Sequence, residues 1–344
     1  MRIALLHDAV SDDSRPDEVD GLQQAAEIAK ALCLLGHEAR IHPIGLDLAA
    51  LVRELQQRRP DLVFNLVEAL GGHGRLIHLV PATLEALRIP FTGCGSTAMF
   101  LTSNKLIAKR WLEGQGIPTP AWYEADRGAV ARWTYPCTCI VKPVWEDASV
   151  GIDDAAVVQV AHDAVLGEIL ESASHRCGGE VFAEQFVEGR ELNLSLLAGV
   201  DEPTVLPPAE IEFVGFPEGK PRIVGYAAKW REESFEYLAT PRRFEFPATD
   251  QPLLERLGNL ARRCWALFEL RGYGRVDFRV DADGQPWVLE INANPCLSHD
   301  AGFMAAAKQA GLDPRQVVER IVADALKPPA GRVPGSHATN PAGL

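Results

Sequence analysis

The sequence predicts an α/β fold, with an N-terminal parallel sheet followed by further mixed units. Two patterns and the length predict it. Residues 3–67 alternate short apolar strands with amphipathic helices in βαβαβ order, which implies a parallel sheet. Near the C-terminus, two alternating segments flank Asp283-Gly284, a two-residue turn signal that implies an antiparallel hairpin. The 344 residues exceed one minimal domain and suit two or three packed units. With 47% hydrophobic and 24% charged residues, the composition is that of an ordinary globular chain; disorder, collagen and coiled coil are excluded as whole-chain readings.

The elements follow in order. Ile3 to Leu6 reads as a strand. Glu18 to Leu35 reads as a helix, with Val19, Leu22, Ala25, Ala26, Ala29 and Leu32 at helical spacing and Gly36 as its stop. Glu38 to His42 and Asp61 to Val67 read as strands around a helix over Leu46 to Arg58. Ligands of such sheets bind beyond the carboxyl ends of the strands, which here are His7-Asp8 and Asn65 to Glu68. Gly71-Gly72-His73-Gly74 opens a helix, either as a plain loop or with its amides toward an anion. Pro90 to Gly95 reads as a junction, followed by a helix over Asn104 to Glu113. Cys139 to Lys142 is a strand closed by Pro143, and Val144 to Gly151 is a loop. Strand-like segments dominate from Val181 to Trp230. Pro252 to Leu270 is a long amphipathic helix with Leu253, Leu257, Leu260, Ala261, Cys264 and Phe268 on one face. The tail from Lys327 to Leu344, rich in Pro, Gly and Ala, reads as disordered.

Composition narrows the function. The net charge of −13 repels a nucleic-acid backbone, and no block of Lys and Arg offsets it, so no nucleic-acid partner is expected. No apolar run approaches the ~20 residues of a membrane span, and the apolar start is too short for a signal peptide; a cytoplasmic protein without a membrane partner is expected. The seven cysteines are odd in number and lack CxxC spacing, which reads as reduced structural thiols, with Cys137 and Cys139 on one face of a strand.

The hairpin carries the chemistry. A two-residue turn at Asp283-Gly284 sets Ala282 opposite Gln285, Val280 opposite Trp287 and Phe278 opposite Leu289. Continuing, Asp277 faces Glu290, Val276 faces Ile291 and Arg275 faces Asn292. Side chains alternate along each strand, so Arg275, Asp277, Glu290 and Asn292 share one face, while Val276, Phe278, Leu289 and Ile291 cover the other. Two carboxylates placed opposite each other repel unless a cation lies between them. Two acids and an amide form an oxygen-only donor set that suits Mg²⁺, and Arg275 adds fixed positive charge. A solvated polar face neutralised by Arg275 is the plainer alternative, and a one-residue bulge would break the register. Lys105, Lys142 and Lys229 each stand at a structural transition and gain meaning only around a shared phosphate. The acids of Glu184 to Glu191 close one strand and open another.

Taken in order, these segments resemble the ATP-grasp superfamily, and within it the D-alanine–D-alanine ligase-like branch. The motifs are Pro90-Phe91-Thr92-Gly93, Asn104-Lys105, Ile140-Val141-Lys142-Pro143, Ser149-Val150-Gly151-Ile152, Glu184 to Glu191, Gly274-Arg275-Val276-Asp277-Phe278 and Leu289-Glu290-Ile291-Asn292-Ala293-Asn294-Pro295. The resemblance implies a Rossmann-like parallel-sheet domain over 1–95, a central ATP-grasp subdomain over 96–180 and a C-terminal one over 181–326. It implies an ATP-dependent carboxylate–amine ligase acting through an acylphosphate. ATP would lie between the two subdomains. Lys105, Lys142 and Lys229 would hold phosphates. Glu184 and the backbone near Val187 would meet adenine, and Glu191 the ribose. Asp277, Glu290 and Asn292 would bind two Mg²⁺ ions, with Mn²⁺ able to substitute. Arg275 and the Cys296 backbone amide would stabilise the oxyanion, and Ser149 belongs to a segment closing over the phosphates. The resemblance also allows a homodimer.

The chain departs from the family at the substrate positions. The Ser-Ser pair after the second lysine is Ala148-Ser149, the Tyr after the third lysine is Trp230, the glycine after Asn-Pro is Cys296, and Ala301 stands near a substrate-binding serine. The Ser-x-Glu segment that holds the first amine is replaced by Asp12 to Asp20, where Glu18 or Asp17 takes its place. These departures point to an amino acid or small metabolite other than D-alanine plus D-alanine. A genuine D-alanine–D-alanine ligase is the alternative; a phosphotransferase and a non-catalytic ATP-binding module are rivals of other classes.

Overall fold

The computed structural model describes residues 1–10, 15–125, 127–129, 133–146 and 148–327; the tail expected to be disordered lies, from residue 328, outside the described residues, as does Asp12. The N-terminal unit runs β1 (Arg2–Asp8), α1 (Pro16–Leu34), β2 (Glu38–Ile44), α2 (Leu48–Arg58) and β3 (Leu62–Asn65). Its three strands are parallel in the order β2-β1-β3. Ile3 to His7 are all buried in β1, because helices cover both faces of the sheet. The helix α1 begins on Pro16, whose missing amide costs nothing at a first turn, and carries Asp17 and Glu18 toward its positive end. Its buried stripe is Gln24, Ala25, Ile28, Ala31 and Leu32, not the one expected from Val19 and Leu22, which are 47% and 44% exposed. The first turns of α1 project past the sheet toward a cleft, which turns Val19 and Leu22 to solvent.

After β3 come α3 (Leu79–Leu87), α4 (Ser96–Ser103) and α5 (Lys105–Gly114). The sequence reading has no counterpart of α4. Asn104 separates α4 from α5, and its side chain accepts a hydrogen bond from the Ile107 amide at 2.9 Å, a cap that fixes where Lys105 starts its helix. A second, antiparallel sheet is built from β4 (Trp122–Glu124), β5 (Gly128–Ala129), β6 (Cys137–Pro143), β7 (Val157–Val160) and β8 (Val181–Gln185), in the order β5-β4-β8-β6-β7. Helix α6 (Asp163–Cys177) packs Leu166, Leu170 and Ala173 on it.

The third sheet holds β9 (Arg190–Leu197), β10 (Thr204–Val205), β11 (Ala209–Ile211), β12 (Arg242–Arg243), β13 (Tyr273–Val280) and β14 (Pro286–Asn292). Its order is β12-β11-β9-β13-β14, with β10 on β9. Around it lie α7 (Tyr226–Trp230), α8 (Phe235–Leu238), α9 (Gln251–Leu267), α10 (Gly302–Gln309) and α11 (Pro314–Ala325). The strand-like stretch expected up to Trp230 therefore ends in a helix, α7, which carries Lys229 and Trp230. The apolar face of α9 closes over Leu192, Leu194, Val276 and Phe278. Helices α10 and α11 return to the first unit and bury Phe303, Val317, Val318 and Ile321 against Leu5, Ile28, Leu32 and Phe64. We propose a division by sheets: an N-terminal unit to about 95, a central one, and a C-terminal one. In this division β8, which pairs with β4 and β6, is grouped with the second sheet, so the proposed second boundary follows Gln185. All seven cysteines are free thiols. Burial pushes Cys94, Cys139 and Cys264 up to about 12, so they stay protonated.

Candidate active site

The hairpin β13–β14 sets the site. Arg275 pairs with Asn292, Val276 with Ile291 and Asp277 with Glu290, as the sequence predicts. The pairing nearer the turn differs. Phe278 faces Val288, Arg279 faces Trp287 and Val280 faces Pro286, with a bulge between Asp277 and Phe278. Asp281 pairs its amide with the Gln285 carbonyl at 3.1 Å, so the loop is Ala282-Asp283-Gly284, three residues long, with Gly284 at φ +73°. The third loop residue shifts the register by one, and the bulge on β14 shifts it back. Leu289 is the extra residue. It leaves the core face assigned to it and lines the cleft, while Val288 takes the core place at 0% exposure. Val288→Asn is therefore expected to lower stability by about 3 kcal/mol, as burying an amide in an apolar core does. Leu289→Asn should leave the melting temperature within ~2 °C and weaken ATP binding roughly tenfold, read by calorimetry.

On the cleft face, Arg275 donates a two-pronged hydrogen bond to Asp277, Nε to Oδ1 at 2.8 Å and Nη2 to Oδ2 at 3.0 Å. Asn193, on the neighbouring strand β9, donates to Asp277 Oδ1 at 2.8 Å. Asn292 Nδ2 lies 3.2 Å from Asp277 and 3.4 Å from Glu290. Burial alone would raise the pKa of Glu290, but Lys105, Lys229, Lys142 and Arg275 together hold it well below its ordinary 4.5. Burial dominates at Asp277 and raises its pKa despite Arg275. Lys229 is lowered by burial, offset in part by Glu290.

Each lysine is placed by an element end. Lys105, at the first turn of α5, donates to the Glu146 carbonyl at 2.6 Å and stands 3.7 Å from Glu290. Lys142, near the end of β6, meets Glu184 of β8 at 2.7 Å. Lys109, one turn along α5 from Lys105, meets the other oxygen of Glu184 at 2.5 Å while donating to Thr119 at 2.7 Å. Two ammonium groups thus outweigh burial and keep Glu184, 1% exposed, ionised. Arg279 pairs with Glu191 at 2.9 Å; burial nonetheless raises the pKa of Glu191.

These groups line one cleft of about 510 Å³ between the three sheets, with a side recess of about 70 Å³. The cleft wall includes Lys105, Lys142, Lys229, Glu191, Arg275, Asp277, Glu290 and Asn292, and also Glu18, Ser149 and Cys296. Glu184 and Val187 line the recess beside Ile140, Phe186 and Leu289. Every residue singled out from the sequence is therefore in or beside the cleft. Two of them face differently than expected. The Glu18 carboxylate accepts from the Arg15 amide at 2.7 Å and so closes the first turn of α1. Ser149 donates its hydroxyl to the Val224 carbonyl at 2.8 Å.

That bond belongs to a latch between three segments. Trp230 Nε1 donates to the Ala148 carbonyl at 2.9 Å, the Tyr226 amide donates to the Ile152 carbonyl at 2.9 Å, and Tyr226 Oη donates to Asp17 of α1 at 2.9 Å. Ala148 and Ser149 have φ of +54° and +60°, the left-handed region that non-glycine residues adopt at a cost. On the other side, a Cβ on Gly74 would sit 2.7 Å from the Trp145 carbonyl oxygen, so the glycine run of the first unit serves as a close backbone contact with the central loop. Near the first sheet, Asp8 accepts from the amides of Glu68 and Ala69, yet burial raises its pKa from 3.8 to about 6. Cys296 and Ser298 both hydrogen-bond Asp20, which ties the loop after β14 to α1.

Sequence reasoning missed Asn193, Lys109, Arg279 and Arg242. The first three lie on alternating or helical positions beside recognised residues, Asn193 two beyond Glu191, Lys109 four beyond Lys105 and Arg279 two beyond Asp277, so periodicity alone places them on the site face. Arg242 carries no such signal.

A nucleotide-sized cleft between two antiparallel sheets, floored by lysines and by paired acids on a hairpin, defines the class: an ATP-grasp ligase fold. Residues 117–323 match the family model described as D-ala D-ala ligase C-terminus. The chain is 31% identical over 309 residues to the D-alanine–D-alanine ligase of Methylococcus capsulatus, covering 88% of this chain and 89% of that one. It is 32% identical over 321 residues to that of Bordetella avium, covering 90% and 92%. A solved D-alanine–D-alanine ligase of Bacillus anthracis complexed with ATP shares the fold at a TM-score of 0.69 and 22% identity, covering 95% of this chain and 97% of that one. The chain belongs to the D-alanine–D-alanine ligase family, enzymes that form a carbon–nitrogen bond while converting ATP to ADP. Among the described residues, no helix is long and apolar enough to cross a membrane.

Proposed function

We propose that the protein is an ATP- and Mg²⁺-dependent D-alanine–D-alanine ligase. The observation that carries the reading is the meeting of Lys105, Lys142, Lys229 and Arg275 with Asp277, Glu290 and Asn292 in one cleft. The departures at Ala148, Trp230, Cys296 and Ala301 favour another substrate pair, but relatives of that name at 31% and 32% identity support D-alanine better.

The residues fit their proposed ligands. Asp277, Glu290 and the Asn292 amide are oxygen donors on adjacent strands, a hard-cation set that leaves coordination positions for phosphate oxygens. When bound, Mg²⁺ neutralises phosphate charge as it moves. The chain supplies the rest. The side recess, with Ile140, Phe186 and Leu289, offers an apolar slot for a base, and Glu184 and the backbone around Val187 its polar edge. Glu191 faces the ribose hydroxyls. Lys105, Lys142 and Lys229 draw the phosphates into line against the substrate carboxylate, which positions the transfer. The neutral amine then attacks the acylphosphate carbonyl, whose oxygen gains negative charge; the C–O bond to phosphate breaks as the amide forms, and the departing phosphate takes up the proton lost by the nitrogen. Arg275, fixed by its fork on Asp277, offers positive charge to that oxygen together with the Cys296 amide. The latch of Ala148 to Ile152 on Val224 to Trp230 excludes water from the acylphosphate.

The test is ADP release with Mg²⁺-ATP and D-alanine, with mass spectrometry of the product. Release at roughly 1 s⁻¹ or above with D-alanyl-D-alanine formed is the expected result. Release with another amino acid pair and not with D-alanine restores the reading of a different substrate. A phosphorylated product without amide makes the protein a phosphotransferase, and ATP binding without any turnover makes it a binding module.

A further inference from the structure

We propose that Arg242 recognises the carboxylate of the amine-donating substrate and so restricts that substrate to amino acids; this rests on the ligase reading above. The cleft-lining cations divide by their partners. Lys105 stands by Glu290, Lys142 by Glu184, Arg275 by Asp277, and Arg15 by Asp17 and Glu18. Among the described residues, Lys229 and Arg242 are the cleft-lining cations that form no ion pair with a carboxylate. Lys229 lies deep, within the field of Glu290, Asp277 and Glu191, and belongs to the phosphate end. Arg242 lines the cleft from the short, exposed edge strand β12, beside Asp300, Ala301 and Gly302.

The position of its guanidinium is defined. Nη1 donates to the Asp300 carbonyl at 2.9 Å, and Nε comes within 3.6 Å of where a Cβ on Gly302 would be. Asp300 answers with a backbone oxygen, and its own side chain is 61% exposed. Ala301 and Gly302, which line the cleft beside it, bring no polar side chain. One N–H of the guanidinium is used; Asp300, Tyr237 and Thr240 also line the cleft, yet the Asp300 carboxylate, though it acts on Arg242 through space, forms no ion pair with it, which leaves donors of the fork over. A carboxylate fits such a fork with two parallel hydrogen bonds. The neutral end of a simple amine or a carboxamide does not. Arg242 also lies within the repulsive field of Arg275, so an anion between them lowers the energy of both. An amino acid with its carboxylate on Arg242 points its amino group inward, toward the carbon that Arg275 and the Cys296 amide attend.

The experiment pairs D-alanine with D-alaninamide, which has no free carboxylate and can serve only as the amine. A panel of other D- and L-amino acids with their amides covers a different substrate. Arg242→Ala is expected to lower kcat/KM for the amino acid as amine roughly 10- to 100-fold, the loss typical of a charge-assisted pair. The amide product should form at an unchanged rate, and KM for ATP should stay within about twofold, which shows the variant is folded. Arg242→Lys should recover part of the loss, since charge returns without the fork. Wild-type turnover with an Arg242→Ala change below about twofold, or equal losses for acid and amide, overturns the proposal. Absence of wild-type turnover with every pair overturns the ligase reading itself, and this proposal with it.

Discussion

Glu290→Gln is expected to abolish ligation, lowering kcat roughly 10³-fold, the loss seen when one charged stabiliser of a phosphoryl or acyl transition state is removed. The side chain keeps its shape, so the effect isolates charge. Glu290 is the carboxylate on which Lys105, Lys229, Lys142 and Arg275 converge, and they hold it ionised against burial. Gln removes a hard oxygen anion from the proposed donor set with Asp277 and Asn292, so Mg²⁺ binding should weaken. It also leaves those four cations facing one another, so melting should fall by an amount corresponding to about 1–3 kcal/mol. That loss should be recovered when MgATP is added in excess, since phosphate charge replaces the carboxylate. Activity within tenfold of wild type, measured as ADP release at saturating Mg²⁺, would falsify a metal role for Glu290.

Arg275→Ala should separate chemistry from binding. Arg275 touches the site through its fork on Asp277 and lies on the same hairpin face as Glu290 and Asn292. Removing it should lower kcat roughly 10²–10³-fold while KM for ATP changes by less than about threefold, because the oxyanion exists only during amide formation. Arg275→Lys should restore little, since a single ammonium cannot span both oxygens of Asp277. If ATP affinity and kcat fell together, Arg275 would be acting by holding Asp277 for the metal. Quantitative product analysis decides a second point: uncoupled ADP release without amide places the defect after acylphosphate formation.

The fold was legible where periodicity is strong and local. The βαβαβ run, the strand closed by Pro143 and the long helix read over Pro252 to Leu270, observed over Gln251–Leu267, follow from spacing alone. The exposed faces of α1 were not, since Val19 and Leu22 fit the apolar stripe and only the overhang of α1 above the cleft turns them outward. At the site, Arg275, Asp277, Glu290 and Asn292 came together as read, although two assumptions on the way were wrong in opposite directions. The turn has three residues and not two, and β14 carries a bulge that restores the register beyond it. Leu289 is the residue that the bulge adds, so it was assigned to the core; Arg279 shares the face of Asp277 by alternation and was simply not singled out. Glu18 and Ser149 were legible as cleft residues but not in their partners, because the first caps its own helix and the second ties two loops. Arg242 had no signal at all: it precedes another arginine on a two-residue edge strand, and only the third sheet brings it over Gly302.

The latch over the cleft also bears on how fast the enzyme can exchange its contents. Its bonds, Trp230 to Ala148, Tyr226 to Ile152, Ser149 to Val224 and Tyr226 to Asp17, all run between protein groups. Each contributes about 0.5–1.5 kcal/mol, and the left-handed backbone at Ala148 and Ser149 gives some of that back. A net few kcal/mol leaves the open form at roughly one molecule in a hundred to one in a thousand. Entry of substrate and departure of product both wait on that minority, so observed dissociation constants are the intrinsic ones divided by its population.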